Sequence, residues 1–379
     1  LAISKIYIII IDCKWERLDL QDSFNWAALH AASNLGPRSM MHLYRHFRTG
    51  EAALRASAAD LQQVPRLSPR AIESLLMFQK CADPEKIFSE LAARKVRLVM
   101  LSDPDYPRML AEIADPPVML YLLGSLPAQE LPLIAVVGAR QASPYGLAMA
   151  RELARGLAEN GWGVVSGMAR GVDAAAHSGA LDAGGYTLAV LGCGLDVCYP
   201  RENERLRDRL RLAGGLVSEL PLAAGPTAKN FPIRNRIISG CSLGTLVVEA
   251  GSKSGALITA YLALEQGRDV FAVPGPATSA RSRGANSLIK QGAKLVDGIE
   301  DLLAEFDYLR QGRLQKSLPA PIPIGELTGE EDIVFQKLSL EPSHIDQLAE
   351  RTGLTVSVVG GLLTMLEVKG LARRLPGQY

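Results

Sequence analysis

The sequence has almost no net charge: 41 Lys+Arg stand against 40 Asp+Glu in 379 residues, which leaves +1 at pH 7. Nothing in these totals announces nucleic acid or membrane, so any basic site must be a local concentration. Long hydrophobic runs are also missing. The most apolar stretch, Ile6 to Ile11, stops at Asp12, far short of the roughly 20 residues of a membrane span, and no small-residue cleavage site follows it. No membrane span and a cytoplasmic location are therefore expected, with residues 1–17 unassigned. Five cysteines, an odd number, are scattered at 13, 81, 193, 198 and 241. None has a partner at zinc-site spacing, so free thiols in a reducing compartment and no metal are expected. The chain also lacks G-x-x-x-x-G-K-[ST] and a G-x-G-x-x-G that opens a helix. That disfavours ATP and nicotinamide, and no cofactor is expected.

What is present is an ordinary globular composition, 48% hydrophobic and 21% charged, long enough for two or three domains. Residues 18–95 read as amphipathic helices broken at Gly36-Pro37, Pro65 and Pro69, either a SAM or helix-hairpin-helix-like module or a plain bundle. From Val96 the pattern changes to short apolar runs, "VRLVML", "LPLIAVVG", "GWGVVSG", "TLAVLG", "GLVSEL", "GTLVVEA" and "DVFAVPG", separated by helical stretches. Such runs predict a Rossmann-like, doubly wound, mostly parallel sheet over 96–308. The proline-rich "SLPAPIPIG" places a linker over 309–326. Three helices and a terminal hairpin over 327–379 read as a winged helix, with Ser343 capping the second helix, Gly353 ending it and Thr355 opening the third.

Ligands of open parallel sheets bind beyond the carboxyl ends of the strands. "VVGARQASPYG" places Gly138, Arg140, Ser143 and Tyr145 there, and "VVSGMARGVDAAAH" places Ser166, Gly167, Arg170, Asp173 and His177. Glycine for close approach, a helix N-terminus and an arginine together suit a phosphate. "AKNFPIRNRIISG" adds Lys229, Phe231, Arg234, Asn235 and Arg236, and "AGSKSGALITA" adds Lys253 and Ser254. On one rim these residues fit a polyanion followed over several phosphates, with Phe231 or Tyr145 as a base-stacking platform. Plainer roles exist for several of them. Arg234 or Arg236 can pair with Glu219 or Glu249, His177 reads as a structural histidine, and Asp173 as a cap.

These stretches, with "DPDYPRMLAEIADPPVMLYLLG", "TLAVLGCGLDVCYPREN", "SELP", "LVVEAGSKSGALITA", "VFAVPG" and "GANSLIKQGA" in order, resemble the DNA-processing protein A (DprA, or Smf) family over about 98–300. The resemblance implies a non-enzymatic protein of natural transformation that binds and protects incoming single-stranded DNA, forms a homodimer, loads the RecA recombinase and displaces single-strand-binding protein. Carried over by position, it implies DNA contacts at Arg140, Ser166, Gly167, Arg170, Lys229, Phe231, Arg234 and Arg236. In the first loop Ala139 stands where the family usually has serine, which removes a hydroxyl.

A second reading is an enzyme. "SLGTLVVEA" is similar to the G-T-x-x-E segment of LOG-like nucleoside monophosphate phosphoribohydrolases, in which Glu249 would act as acid or base and Arg236 would position the phosphate. The P-G-G that precedes that segment in the enzymes is replaced here by "ISGCS".

Overall fold

A computed structural model describes residues 17–33, 35–306, 329–338, 344–368 and 372. The expected linker, Ser343, the terminal hairpin and residues 1–16 lie outside these residues.

The first helices follow the punctuation of the sequence. α1 (Arg17–Ser33) is followed by α2 (Pro37–Phe47), α3 (Gly50–Arg55), α4 (Ala58–Gln62), α5 (Pro69–Phe78) and α6 (Pro84–Arg94). Three of them begin with proline, whose missing N–H costs nothing at that position. Side chains of Thr49, Ser57, Ser68 and Asp83 accept from the first-turn N–H groups of α3 to α6, each cap contributing about 1 kcal/mol. Trp26, Leu29, Leu43, Leu61, Leu75 and Leu91 are buried in one apolar cluster that continues into Met100, Met119 and Tyr121 of the sheet. Each such side chain contributes roughly 1.5–3 kcal/mol by leaving water. The helices thus share a core with the sheet, and among the described residues the unit extends from Arg17 to Leu303.

Nine strands form that sheet: β1 (Arg97–Met100), β2 (Met119–Gly124), β3 (Leu133–Gly138), β4 (Gly163–Ser166), β5 (Thr187–Val190), β6 (Gly215–Ser218), β7 (Gly244–Val248), β8 (Asp269–Ala272) and β9 (Lys294–Leu295). Their order is β1-β2-β6-β5-β4-β3-β7-β8-β9. β6 through β9 run parallel, while β1 and β2 add an antiparallel edge. β2, buried from Met119 to Leu123, is a further strand beyond those the apolar runs predicted.

The connecting helices are α7 (Arg108–Ala111), α8 (Pro144–Glu159), α9 (Val172–Asp182), α10 (Glu204–Ala213), α11 (Asn230–Gly240), α12 (Gly255–Glu265), α13 (Arg283–Lys290) and α14 (Ile299–Glu305). From β3 the chain winds outward through β4, β5 and β6, then returns to lay β7 on the other flank of β3. The order therefore reverses between β3 and β7, the kind of crevice where open sheets receive ligands.

The C-terminal unit, described by itself, contains α15 (Gly329–Phe335), α16 (Ile345–Thr352) and α17 (Val356–Val368). Leu348, Ala349 and Val359 form its small core. Gly353 ends α16 at φ 69°, a left-handed conformation that glycine adopts without strain. The observed cap of α16 is His344, whose side chain accepts from the N–H of Asp346. Among the described residues no helix is long and apolar enough to cross a membrane.

Candidate nucleic-acid interface

The switch point is closed by the protein's own carboxylate. Glu249, at the end of β7, adopts φ 53° and is buried. Its Oε2 accepts from the Ser143 N–H at 2.7 Å, and its backbone carbonyl accepts from Ala139 N–H at 2.8 Å. Ser143 caps α8 through the Gly146 N–H. Gly146 leaves room for this carboxylate, since a Cβ would lie 2.3 Å from Glu249 Oε2 and displace it. A negative group at this helix N-terminus is the electrostatically favoured arrangement, and Glu249 supplies it.

One strand over, the same rim is open. Arg140, Gly167, Ala169, Arg170, Gly192, Tyr199 and Phe231 line a pocket of about 410 Å³, solvent at its mouth included, above β4 and β5. Arg140 places its guanidinium carbon 5.1 Å from the centroid of Phe231, and Arg234 places its own at 5.9 Å. Phe231 rests on Gly192, where a Cβ would be 2.8 Å from the ring. Tyr199 leans on Phe231 at 5.6 Å with a 41° tilt.

Behind this layer lies a buried frame. Arg234 donates to the Val190 carbonyl, and its guanidinium occupies the space a side chain at Gly167 would need, 2.0 Å from a Cβ there. Burial lowers its pKa to about 10, with Asp173 opposing the shift, so it stays cationic at neutral pH. Asp173 accepts from Gly167 and Ala169 N–H groups at 3.2 and 3.3 Å. It therefore shapes the loop after β4 from within α9, while the cap position is Gly171. Burial raises the Asp173 pKa against the pull of Arg234 and these N–H groups.

His177, one turn on, is fully buried, and its Nδ1 lies 2.7 Å from Thr187 Oγ1. The Thr187 hydroxyl donates to the Val164 carbonyl, so His177 Nδ1 carries the proton and donates. Its Nε2 has no partner among the described residues, and burial lowers the pKa to about 3. This is a structural, neutral histidine.

The remaining expected residues divide. Arg170 lines the pocket and pairs with Glu202 through Nε and Nη2. That pair is exposed, so a competing phosphate meets little resistance. Lys229 and Lys253 are exposed at their loops, and Asn235 is half-buried with Nδ2 3.5 Å from the Gly255 carbonyl.

Besides Arg234, Ser166 and Arg236 turn inward. Ser166 is buried, and its hydroxyl donates to the Val136 carbonyl at 2.6 Å, so it holds strands together and is withdrawn from the interface. Arg236 is buried and donates through Nη2 to both Glu219 oxygens at 2.7 and 2.8 Å, with Asp115 3.2 Å from Nε. Its charge is spent inside. Tyr145 donates to the Pro274 carbonyl and does not line the pocket.

Tyr199, Gly192 and Glu202 had no assigned role in the sequence reading. The signal for Gly192 and Tyr199 was the strand, glycine-rich loop and Tyr-Pro of "TLAVLGCGLDVCYP", which places an aromatic at a strand's carboxyl end. Cys193 also lines the pocket, with its pKa raised by burial to about 11, and so stays a thiol. No cluster of His, Cys, Asp or Glu able to hold a metal occurs among the described residues.

Comparison with known proteins agrees with this architecture. A family model described as DNA recombination-mediator protein A matches residues 97–307, and one for the DprA winged helix domain matches 318–378. Protein Smf of Synechocystis is 35% identical over 93% of this chain and 96% of its own length. DNA processing protein DprA of Streptococcus pneumoniae is 46% identical over 54% of this chain and 73% of its own. The X-ray structure of the pneumococcal DprA superposes with a TM-score of 0.66 at 35% identity, covering 75% of this chain and 97% of that one. A mixed α/β sheet with a helical front and a DprA winged-helix tail, matched over most of its length, places the chain in the DNA-processing protein A (DprA/Smf) family.

Proposed function

We infer that the pocket above β4 and β5 binds single-stranded DNA and that the protein acts as a recombination mediator without chemistry of its own. The observation that carries this reading is the guanidinium of Arg140 beside the Phe231 ring at an open pocket, with Arg170 on its rim and buried Arg234 behind the ring. Guanidiniums beside aromatic rings fit a flexible strand whose phosphates and bases alternate. Lys229 and Lys253 extend the cationic rim as exposed phosphate contacts. Protection of incoming DNA during natural transformation, loading of RecA, displacement of single-strand-binding protein, a homodimer and a cytoplasmic location complete the proposal.

The hydrolase reading draws less support. Glu249, its acid or base, is hydrogen-bonded to the loop before α8, and Arg236, its phosphate ligand, is held by Glu219. Turnover of nucleoside monophosphates that disappears in Glu249→Gln would reverse this judgement.

The deciding experiment is fluorescence anisotropy with labelled oligothymidylate and the matched duplex at two salt concentrations. Salt-sensitive preference for the single strand is expected. Arg140→Ala and Lys229→Ala should each lower the slope of log affinity against log salt by about 0.7. Wild-type protein that ignores the single strand at low salt removes the reading.

A further inference from the structure

We propose that Tyr199, rather than Phe231 or Tyr145, is the outward platform on which a nucleobase stacks at this pocket. The inference rests on the single-stranded DNA reading and assigns its base contact.

Phe231 is already surrounded. Gly192 lies under its ring, guanidiniums of Arg140 and Arg234 lie 5.1 and 5.9 Å from its centroid, and Tyr199 leans on it at 5.6 Å. Tyr145 is tied to the Pro274 carbonyl away from the pocket lining. Tyr199 lines the same pocket and keeps 39% of its surface in solvent, where Phe231 is half-buried, so it is the pocket aromatic with more ring area to offer.

The loop that presents it is held at several points before any ligand arrives. Asp196 accepts from Ala223 N–H at 2.8 and 3.0 Å, Gly194 N–H donates to the Ala224 carbonyl at 2.8 Å, and Ser218 donates to the Cys193 carbonyl at 2.8 Å. Beyond the tyrosine, Asn203 Nδ2 donates to the Met168 carbonyl at 2.9 Å, tying the turn to the loop of Gly167 and Arg170. An aromatic fixed in this way loses little freedom when a base settles on it. Arg140 and Arg170 flank it on the same lining, so phosphates on either side of a stacked base meet cations. Every base has a π-face, so the contact is indifferent to sequence.

The test uses full-length protein and two labelled oligonucleotides of equal length, oligothymidylate and one in which the central nucleotides are abasic. Tyr199→Ala and Tyr199→Leu, the latter keeping apolar contact with Phe231, should each bind oligothymidylate about tenfold more weakly, lose no more than about twofold on the abasic strand, and keep the wild-type salt slope. Tyr199→Phe should match wild type on both. Equal losses on the two strands, or no loss on either, overturn the assignment while leaving the interface standing if wild type binds. Failure of wild type to bind either strand at low salt removes the interface and the platform together.

Discussion

The loop after β3 and the loop after β4 carry nearly the same chemistry in sequence: glycine, arginine, and a helix that begins a few residues on. In the structure the first receives Glu249 from β7, whose carboxylate takes the N–H of Ser143. The second has its geometry set from behind by Asp173 and Arg234, and its outer face opens on a pocket lined by Arg170, Phe231 and Tyr199 together with Arg140 of the first loop. Arg236 belongs with the closed region, since its charge is matched by Glu219 in the interior. The helix end of the first loop, at Ser143, has become structural, while its Arg140 and the second loop remain available at the pocket. What differs is where the internal carboxylate acts: Glu249 takes the Ser143 N–H at the start of the helix, whereas Asp173 holds the second loop from behind.

The largest effect that tests this division is at the closed side. Arg236→Met leaves Glu219 buried without its partner, and urea denaturation should show a loss of about 3–5 kcal/mol. Binding of single-stranded DNA by the folded variant should stay within about twofold of wild type at unchanged salt slope. A binding defect in a variant of undiminished stability would move Arg236 to the open side.

Acid should act next, through the frame behind the pocket. His177 has a folded pKa of about 3 against an ordinary 6.5, so between these values the unfolded chain holds the extra proton. Its contribution is therefore complete above pH 6.5 and lost as pH falls, amounting to roughly 2–3 kcal/mol between pH 7 and 4.5. His30, lowered to about 4 by burial, adds a loss of the same sign. Denaturation at several pH values should give a shallower slope for His177→Gln than for wild type. Parallel curves would mean that His177 is hydrated.

Glu249→Ala removes the internal anion of the first loop. A stability loss of about 2 kcal/mol is expected, since a charge-assisted hydrogen bond disappears and the Ser143 N–H loses its acceptor. Should DNA affinity fall more than stability, the two loops are coupled.

The smallest expected effect is at the open side. A Cβ at Gly167 would stand 2.0 Å from Arg234 Nη1, so Gly167→Ala must displace that guanidinium. Anisotropy should then report binding about tenfold weaker, roughly 1.4 kcal/mol. Wild-type affinity in this variant would show that the position of Arg234 is immaterial to binding.

Much of this was legible in the residues, for identifiable reasons. β3 to β8 announce themselves because strands covered on both faces need continuous apolar runs. The breaks at Pro37 and Pro69 became helix starts because proline is tolerated at the first position of a helix and not inside one. Arg140, Gly167, Arg170 and Phe231 were picked out by their place after strands, and the structure brings these four to one pocket.

The misplacements have equally physical causes. Ser166 sits last in β4, where side chains alternate between faces, and a hydroxyl can point to the core when a carbonyl such as that of Val136 is there to receive it. Tyr199 went without a role because its loop reads as a failed dinucleotide fingerprint, and only the tethers to β6 and to the loop after β4 set its ring on the rim.

By itself the sequence determined the layers of the molecule, the position of the strand ends and the residue types gathered there, since apolar period and turn chemistry are local properties. Which of those residues face a ligand was decided only by the tertiary structure. Arg234 and Arg236 are two positions apart on α11, about 200° around a helix, and what each one meets depends on β5, β6 and α9 packed against it. Glu249 reaches Ser143 across 106 residues of chain. Charge pairing between distant segments is set by how the sheet winds, and that winding separates a buried ion pair from a site.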